Sequence, residues 1–524
     1  MTLCQITPID AAGIQTIKSN PYLRLNGRGV LVGIIDTGID YLNDEFKRED
    51  GTSRIARVWD QTIQGNKEVY GLAYGIEYTE EQITQAIRLR ESGGDPYSIV
   101  NTRDTNGHGT AMASITGARG INKELEGIAT DCEFVIVKLI PASRAELDNA
   151  LVDGNVEAYS PLSILLALRY TQAVARTLNR PIVIYIPLGT NLGSHTGNGF
   201  VENIIDTVTA RIGTLVVVPT GNQGNTETHT EGIIEKAGDS KDIELSIGKN
   251  QRKIQIEIWI NKPNRVTLSI ISPAGEIIPS LTSKNTTNRR IKFTYEGTEM
   301  VVNFTNPEET TGDGLISIKA YDLREGIWRF RLTGEYIVQG RYYAWIPQRE
   351  LLDSETRFLN PVESTTLTLP STSLGAISVA YYNQNNNAVV SESGRGYTRD
   401  DRIKPDIAAG GVNALVTTPG GGTRTITGSS VGGAVVAGGC ALILQWAVVN
   451  GNEPDISSSQ IKSYIISAAE ARAGDIYPNN EWGYGMFNLE NIINVIRDVY
   501  SPEFNDQNRY DEYNVGSLFV RKPK

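Results

Sequence analysis

The chain has 524 residues, 40% hydrophobic and 21% charged, with a formal net charge of −11 at pH 7. That length supports a large core shared among roughly two or three compact units, and the acidic balance without a basic block excludes nucleic acid or an anionic membrane as main partner. Cys4, Cys132 and Cys440 are odd in number and far apart, which excludes a disulfide framework or a zinc site and leaves reduced thiols as the expectation.

The first residues, MTLCQITPIDAAGIQ, lack the basic and apolar regions of a secretory signal, so the expectation is synthesis in the cytoplasm. From Gly29 to Gly221 uninterrupted apolar runs recur: GVLVGIID at 29–36, CEFVIVKLI at 132–140, PIVIYIPLG at 181–189 and TLVVVPTGN at 214–222. Such runs fit strands buried on both faces. Helically spaced stretches at 160–178 and 199–213 lie between the last three, so the rhythm predicts a parallel sheet flanked by helices. From Gly232 the texture becomes β-rich, with KIQIEIWI at 253–260, RVTLSII at 265–271, RRIKFTYEG at 289–297, EMVVNFTN at 299–306, LISIKAY at 315–321 and IWRFRLTGEY at 327–336. Short strands with polar turns predict an antiparallel sandwich, jelly-roll-like in character. After Pro361 the first texture returns, with LGAISVAYY at 374–382 and a glycine-rich helix from Ser430. The expected organisation is an α/β unit in two parts, 1–231 and 361–524, interrupted by a β-rich insertion at 232–360.

Three short stretches carry chemistry. Asp36 closes the apolar run of GIIDTGID, at the carboxyl edge where open α/β sheets place their sites; a turn-capping aspartate is the plainer alternative. His108 is one of only three histidines and stands in NGHGTAMAS, where glycines and small residues permit close backbone approach. Ser430 opens the helix of TGSSVGGAVVAGG, beside N–H groups and a positive dipole end that suit a developing oxyanion; simple capping by Ser429 is the alternative. Taken together, an Asp, a His and a Ser supply orienter, base and nucleophile.

In that chain order, and in these three blocks, the sequence resembles the subtilisin-like serine proteases. The resemblance runs from Asn20 to Ile492 outside the insertion and includes PTGNQGN at 219–225, IYIPLGT at 184–190, GRGYTRDDRIKPDIAAGGVN at 394–413 and NNEWGYGMFNLENI at 479–492. It implies Asn222 as oxyanion donor beside the Ser430 N–H, Leu188 and Gly189 as lining of the substrate groove, a protein substrate and no cofactor. NPYLRLNGRGVLVGIIDTGIDYLNDEF, SRIARVWDQT and the placement of the insertion resemble the clostridial Csp germination proteases more narrowly. That likeness implies limited proteolysis of a cortex-lytic proenzyme, association with the spore, and an N-terminal prodomain encoded elsewhere or already removed.

The sequence departs from the family at Ser429, where threonine is usual, and at Ala434, where proline is usual. The calcium loop of the family is replaced here by GARGINKELEGI at 117–128, with Arg119 and Ile121 at positions that usually help to ligate the ion, whereas Ca²⁺ takes oxygen ligands, so the calcium site is not expected. His195 is read as a polar loop residue or a border of a specificity pocket, and His229 as exposed. Neither is spaced for a metal. A general subtilase of another substrate, a catalytically silent scaffold, and sugar stacking by Trp259, Trp328 and Trp345 are the competing readings; core packing is the plainer role for those tryptophans.

Overall fold

The computed structural model describes residues 6–65, 70–72, 74–154, 156–282 and 287–500, with side chains to Arg497. Cys4 lies outside them. Their central feature is a sheet of nine strands. From one edge it runs through Ile76–Thr79, Ile55–Asp60, Glu133–Lys138, Leu31–Asp36, Ile182–Tyr185, Thr214–Pro219 and Ile377–Asn383 to Ala388–Val389, and Ile407–Gly410 also pairs with Ile377–Asn383. Pairing is parallel except at the two outermost strands.

The apolar runs are continuous because both faces are covered. Val32, Ile34, Phe134, Ile136, Val183, Tyr185, Leu215 and Val217 point into one core with the helices His108–Gly117 and Ser429–Leu444. Their alternates Leu31, Ile35, Val135, Val137, Ile182, Ile184, Val216 and Val218 point into a second core with Pro161–Thr177 and Phe200–Thr209. This is the period of two that places successive side chains on opposite faces. Ser429–Leu444 is buried along its length apart from half-buried Ser430, which accounts for its almost uniformly apolar sequence. Its glycines permit that depth: a Cβ on Gly433 would lie 2.7 Å from the Tyr185 hydroxyl, and one on Gly438 2.7 Å from the Ile128 side chain.

The β-rich stretch forms two antiparallel sheets. One has the order Ile277–Thr282, Arg265–Ile271, Gly326–Tyr336, Ser240–Ile247, Arg357–Phe358; the other runs Thr287–Lys292, Glu299–Thr305, Gly314–Tyr321, Ile254–Ile260, Gly340–Trp345, His229–Ile234. Ile243, Leu245, Leu268, Trp328 and Phe330 from the first meet Ile256, Ile258, Val302, Phe304 and Ile318 from the second in one core, so the unit is a sandwich.

Aromatic and charged contacts fasten it to the α/β unit. Arg399, 2% exposed, donates from Nε to the Ser194 carbonyl (2.7 Å) and from Nη1 to Asn261 Oδ1 (2.8 Å), pairs with Asp313 at 2.8 Å, and lies over the Trp259 ring. Trp345 is sandwiched between the imidazoles of His195 and His229, with centroids 4.0 and 4.5 Å away and planes 7° and 19° apart. Both histidines are therefore buried: His195 lies in a polar loop as expected but is enclosed there, and the reading of His229 as exposed is corrected. Burial drives the His195 pKa down to about 3, so its ring is neutral. The same packing removes the sugar-stacking role. Trp259, Trp328 and Trp345 are 3%, 0% and 1% exposed, leaving no ring face for a ligand.

Candidate active site

A parallel sheet gathers the carboxyl ends of its strands on one edge, and the candidate residues lie there. Asp36 is the last residue of Leu31–Asp36 and is fully buried. One carboxylate oxygen accepts the Thr37 N–H at 2.6 Å; the other lies 2.7 Å from His108 Nδ1. A carboxylate only accepts, so Nδ1 carries the proton and the Nε2 lone pair is free. Burial lowers the His108 pKa, but the charge and hydrogen bond of Asp36, with Asp104 adding its charge, outweigh it and leave the ring above its ordinary value of 6.5. The side chain remains 34% exposed, so a reactant can reach it.

His108 begins its helix after Gly107, whose φ of 85° lies in the left-handed region. That helix approaches the turn after Asp36 so closely that a Cβ on Gly109 would collide with the Gly38 carbonyl oxygen. Asp104 holds the junction, accepting from Thr37 Oγ1 (2.8 Å), the Gly107 N–H (2.8 Å), and the Thr110 N–H (2.9 Å) and hydroxyl (2.6 Å). Sequence reasoning missed this residue. Its signal was an aspartate shortly before a helix start, an arrangement that commonly satisfies free N–H groups. A cleft of about 420 Å³ adjoins this junction, bordered by Asp40, Tyr97, Arg103, Asp104 and Pro419.

Ser430 is the second residue of Ser429–Leu444, and its carbonyl accepts from the Tyr185 hydroxyl at 2.5 Å. Asn222, just beyond Thr214–Pro219, accepts the Ser429 N–H through Oδ1 at 3.0 Å. That bond fixes the sense of the amide, and its Nδ2 remains as donor at the helix start carrying Ser430. The helices of His108 and Ser430 pack on each other, and no hydrogen bond joins the two side chains in this structure. Such contacts commonly tighten only when substrate binds.

Leu188 is half-buried and Gly189 exposed at the end of the neighbouring strand's extension. Across from Gly189 lies Gly221, and Thr368 fills the space between them. A Cβ on either glycine would collide with its side chain, whose hydroxyl donates to the Thr220 carbonyl at 3.2 Å.

The stretch at the place of the family's calcium loop is filled by the protein's own groups. Glu45 turns its carboxylate to the N–H groups of Gly120, Ile121 and Asn122 (2.7, 3.2 and 2.9 Å). Arg54 donates to the carbonyls of Glu45, Gly117 and Cys132, and Lys18 to the Gly127 carbonyl and Glu126 carboxylate. Protein cations and amides thus occupy the oxygens, and the set does not fit a calcium ion, which needs six or more of them, roughly. Cys132 and Cys440 are buried thiols whose pKa burial raises to about 12.

Parallel strands, the aspartate–histidine pair and a serine at the start of a buried helix define a subtilisin-like architecture. The Subtilase family model matches residues 27–301 and 356–485, and the chain belongs to that family. Among solved structures it is similar to the CspB protease of Clostridium perfringens, with a TM-score of 0.83 and 30% identity, covering 94% of this chain and 97% of that one. Among curated proteins it is similar to the PII-type proteinases of Lactococcus lactis subsp. cremoris and Lacticaseibacillus paracasei, at 23% and 22% identity over 238 residues. That match takes in 42% of this chain and only 10% of each proteinase.

Proposed function

We propose that the chain is a serine endopeptidase in which Asp36 orients, His108 acts as base and acid, and Ser430 is the nucleophile. The observation that carries this is the 2.7 Å pair of a fully buried Asp36 carboxylate with His108 Nδ1, on the helix packed against that of Ser430. His108 Nε2 takes the Ser430 proton as Oγ attacks the scissile carbonyl. The tetrahedral oxyanion receives hydrogen bonds from Asn222 Nδ2 and the Ser430 N–H. His108 then protonates the leaving amine, and water activated by the same ring clears the acyl-enzyme. Leu188 and Gly189 line the acyl side of the groove, and no metal takes part in these steps.

The substrate we propose is an inactive cortex-lytic hydrolase, activated by limited cleavage during spore germination after synthesis in the cytoplasm and association with the spore. Similarity to the CspB protease over nearly the whole of both chains supports it. In this reading the α/β parts within 1–231 and 361–524 form the catalytic unit around the insertion expected at 232–360, whose first strand, His229–Ile234, starts three residues earlier. The test is to incubate purified protein with such a proenzyme and read cleavage by mass spectrometry. A single cut made by the wild type and not by Ser430→Ala is expected; an uncut proenzyme beside a cleaved generic protein substrate would refute the germination role and leave the peptidase.

A further inference from the structure

Gln348 belongs to the turn leaving the insertion strand Gly340–Trp345, yet its Nε2 donates to the Gly189 carbonyl at 2.8 Å. The next residue, Thr190, exchanges backbone hydrogen bonds with Leu369 (2.9 and 2.8 Å). Thr190 thus turns both its backbone groups to Leu369, and the Gly189 carbonyl before it is met by a side chain instead.

The same turn grips the opposite wall. The Arg349 N–H donates to Gln223 Oε1 at 3.0 Å, and Gln223 Nε2 donates to both Glu350 carboxylate oxygens at 3.2 and 3.0 Å. Gln223 is buried and directly follows Asn222. The Arg349 guanidinium secures the turn on the carbonyls of Thr226 and Thr356 at 3.1 and 2.6 Å. A rigid part of the insertion therefore delivers the Gln348 amide to one place.

An extended peptide that adds to an exposed edge pairs its backbone N–H groups with the carbonyls there. At Gly189 that acceptor is already in use. We propose that Gln348 is a positioning residue of the substrate cleft: it caps the Gly189 carbonyl in the free protein and gives it up to a backbone N–H of an extended peptide, so the insertion sets how firmly the acyl side of a substrate is held. The inference rests on the endopeptidase reading above. Displacing the cap offsets about one net hydrogen bond, roughly 2- to 10-fold in affinity.

The experiment measures how strongly peptide aldehydes of one and of four residues slow fluorophosphonate labelling of Ser430 in wild type, Gln348→Ala and Gln348→Met. Methionine keeps the length of the side chain and removes its donor. In both variants the four-residue aldehyde is expected to bind about 2- to 10-fold more tightly, with the one-residue aldehyde unchanged. Weaker binding of the long aldehyde, an equal change at both lengths, or no change in a normally labelled protein would overturn the inference while the endopeptidase reading stood. Wild type that takes no label would remove that reading and the inference with it.

Discussion

Replacing Asp36 with asparagine tests the pairing on which the mechanism turns. The Thr37 N–H needs an acceptor in this fully buried place, so the new amide oxygen turns to it and the NH2 group faces His108 Nδ1. The ring must then accept at Nδ1 and carry its proton on Nε2, the tautomer that cannot take a proton from Ser430. A fall in kcat of about 10⁴ is expected, roughly 5 kcal/mol of transition-state stabilisation. The pH profile shifts as well. Asp36 raises the His108 pKa against burial, so wild-type kcat/KM climbs as pH rises through a value above 6.5, where the ring becomes neutral. Without that charge the lowering effect of burial remains, and the residual activity of the variant titrates at lower pH. Ester hydrolysis across pH 5 to 9, about the range in which histidines titrate, reads both effects. A loss below tenfold, or an unmoved profile, would refute the assignment of Asp36 as orienter.

Asn222→Ala removes the proposed oxyanion donor and is expected to lower kcat about 10²- to 10³-fold with KM little changed; steady-state kinetics on one peptide reads the split. His195 titrates at about 3 in the fold against 6.5 unfolded. The unfolded chain therefore binds the extra proton, and stability present above 6.5 is lost as pH falls towards 3, by about 4–5 kcal/mol in all. His195→Asn, which tolerates the positive φ of 52°, should flatten that part of the urea-midpoint profile; equal slopes would refute the attribution. Because Arg54, Lys18 and the backbone amides occupy the calcium loop, a chelator is expected to leave the melting temperature unmoved, and a fall reversed by added calcium would contradict that reading.

The architecture was legible where a local pattern determines it. The apolar runs at 29–36, 181–189 and 214–222 predicted the central strands, observed as Leu31–Asp36, Ile182–Tyr185 and Thr214–Pro219 and buried on both faces. His229–Ile234, Ser240–Ile247 and Ile277–Thr282 escaped notice: the first and third lack a clean alternation, the second alternates only from Ile243 onward, and the first two are held by strands far along the chain while Ile277–Thr282 folds back on Arg265–Ile271. Glu80–Glu91 was missed too, despite its Thr79–Gln82 capping box. Within the site, Asp36, His108, Asn222 and Ser430 each stand in a recognisable short segment. Asp104 was passed over because Thr37, which it ties to the helix start, lies 67 positions away, and Gln348 because it reaches Gly189 across 159 positions. His195 and His229 show the same limit, since both lie in polar stretches and only the fold encloses Trp345 between them.

The most direct measurement is intact-mass labelling with a fluorophosphonate on wild type, Ser430→Ala and His108→Ala. We expect one adduct on wild type and none on either variant, because in the proposed mechanism Ser430 supplies the oxygen and His108 activates it. A folded wild type that takes no adduct, or a Ser430→Ala protein that still takes one, would contradict the assignment of Ser430 as the nucleophile.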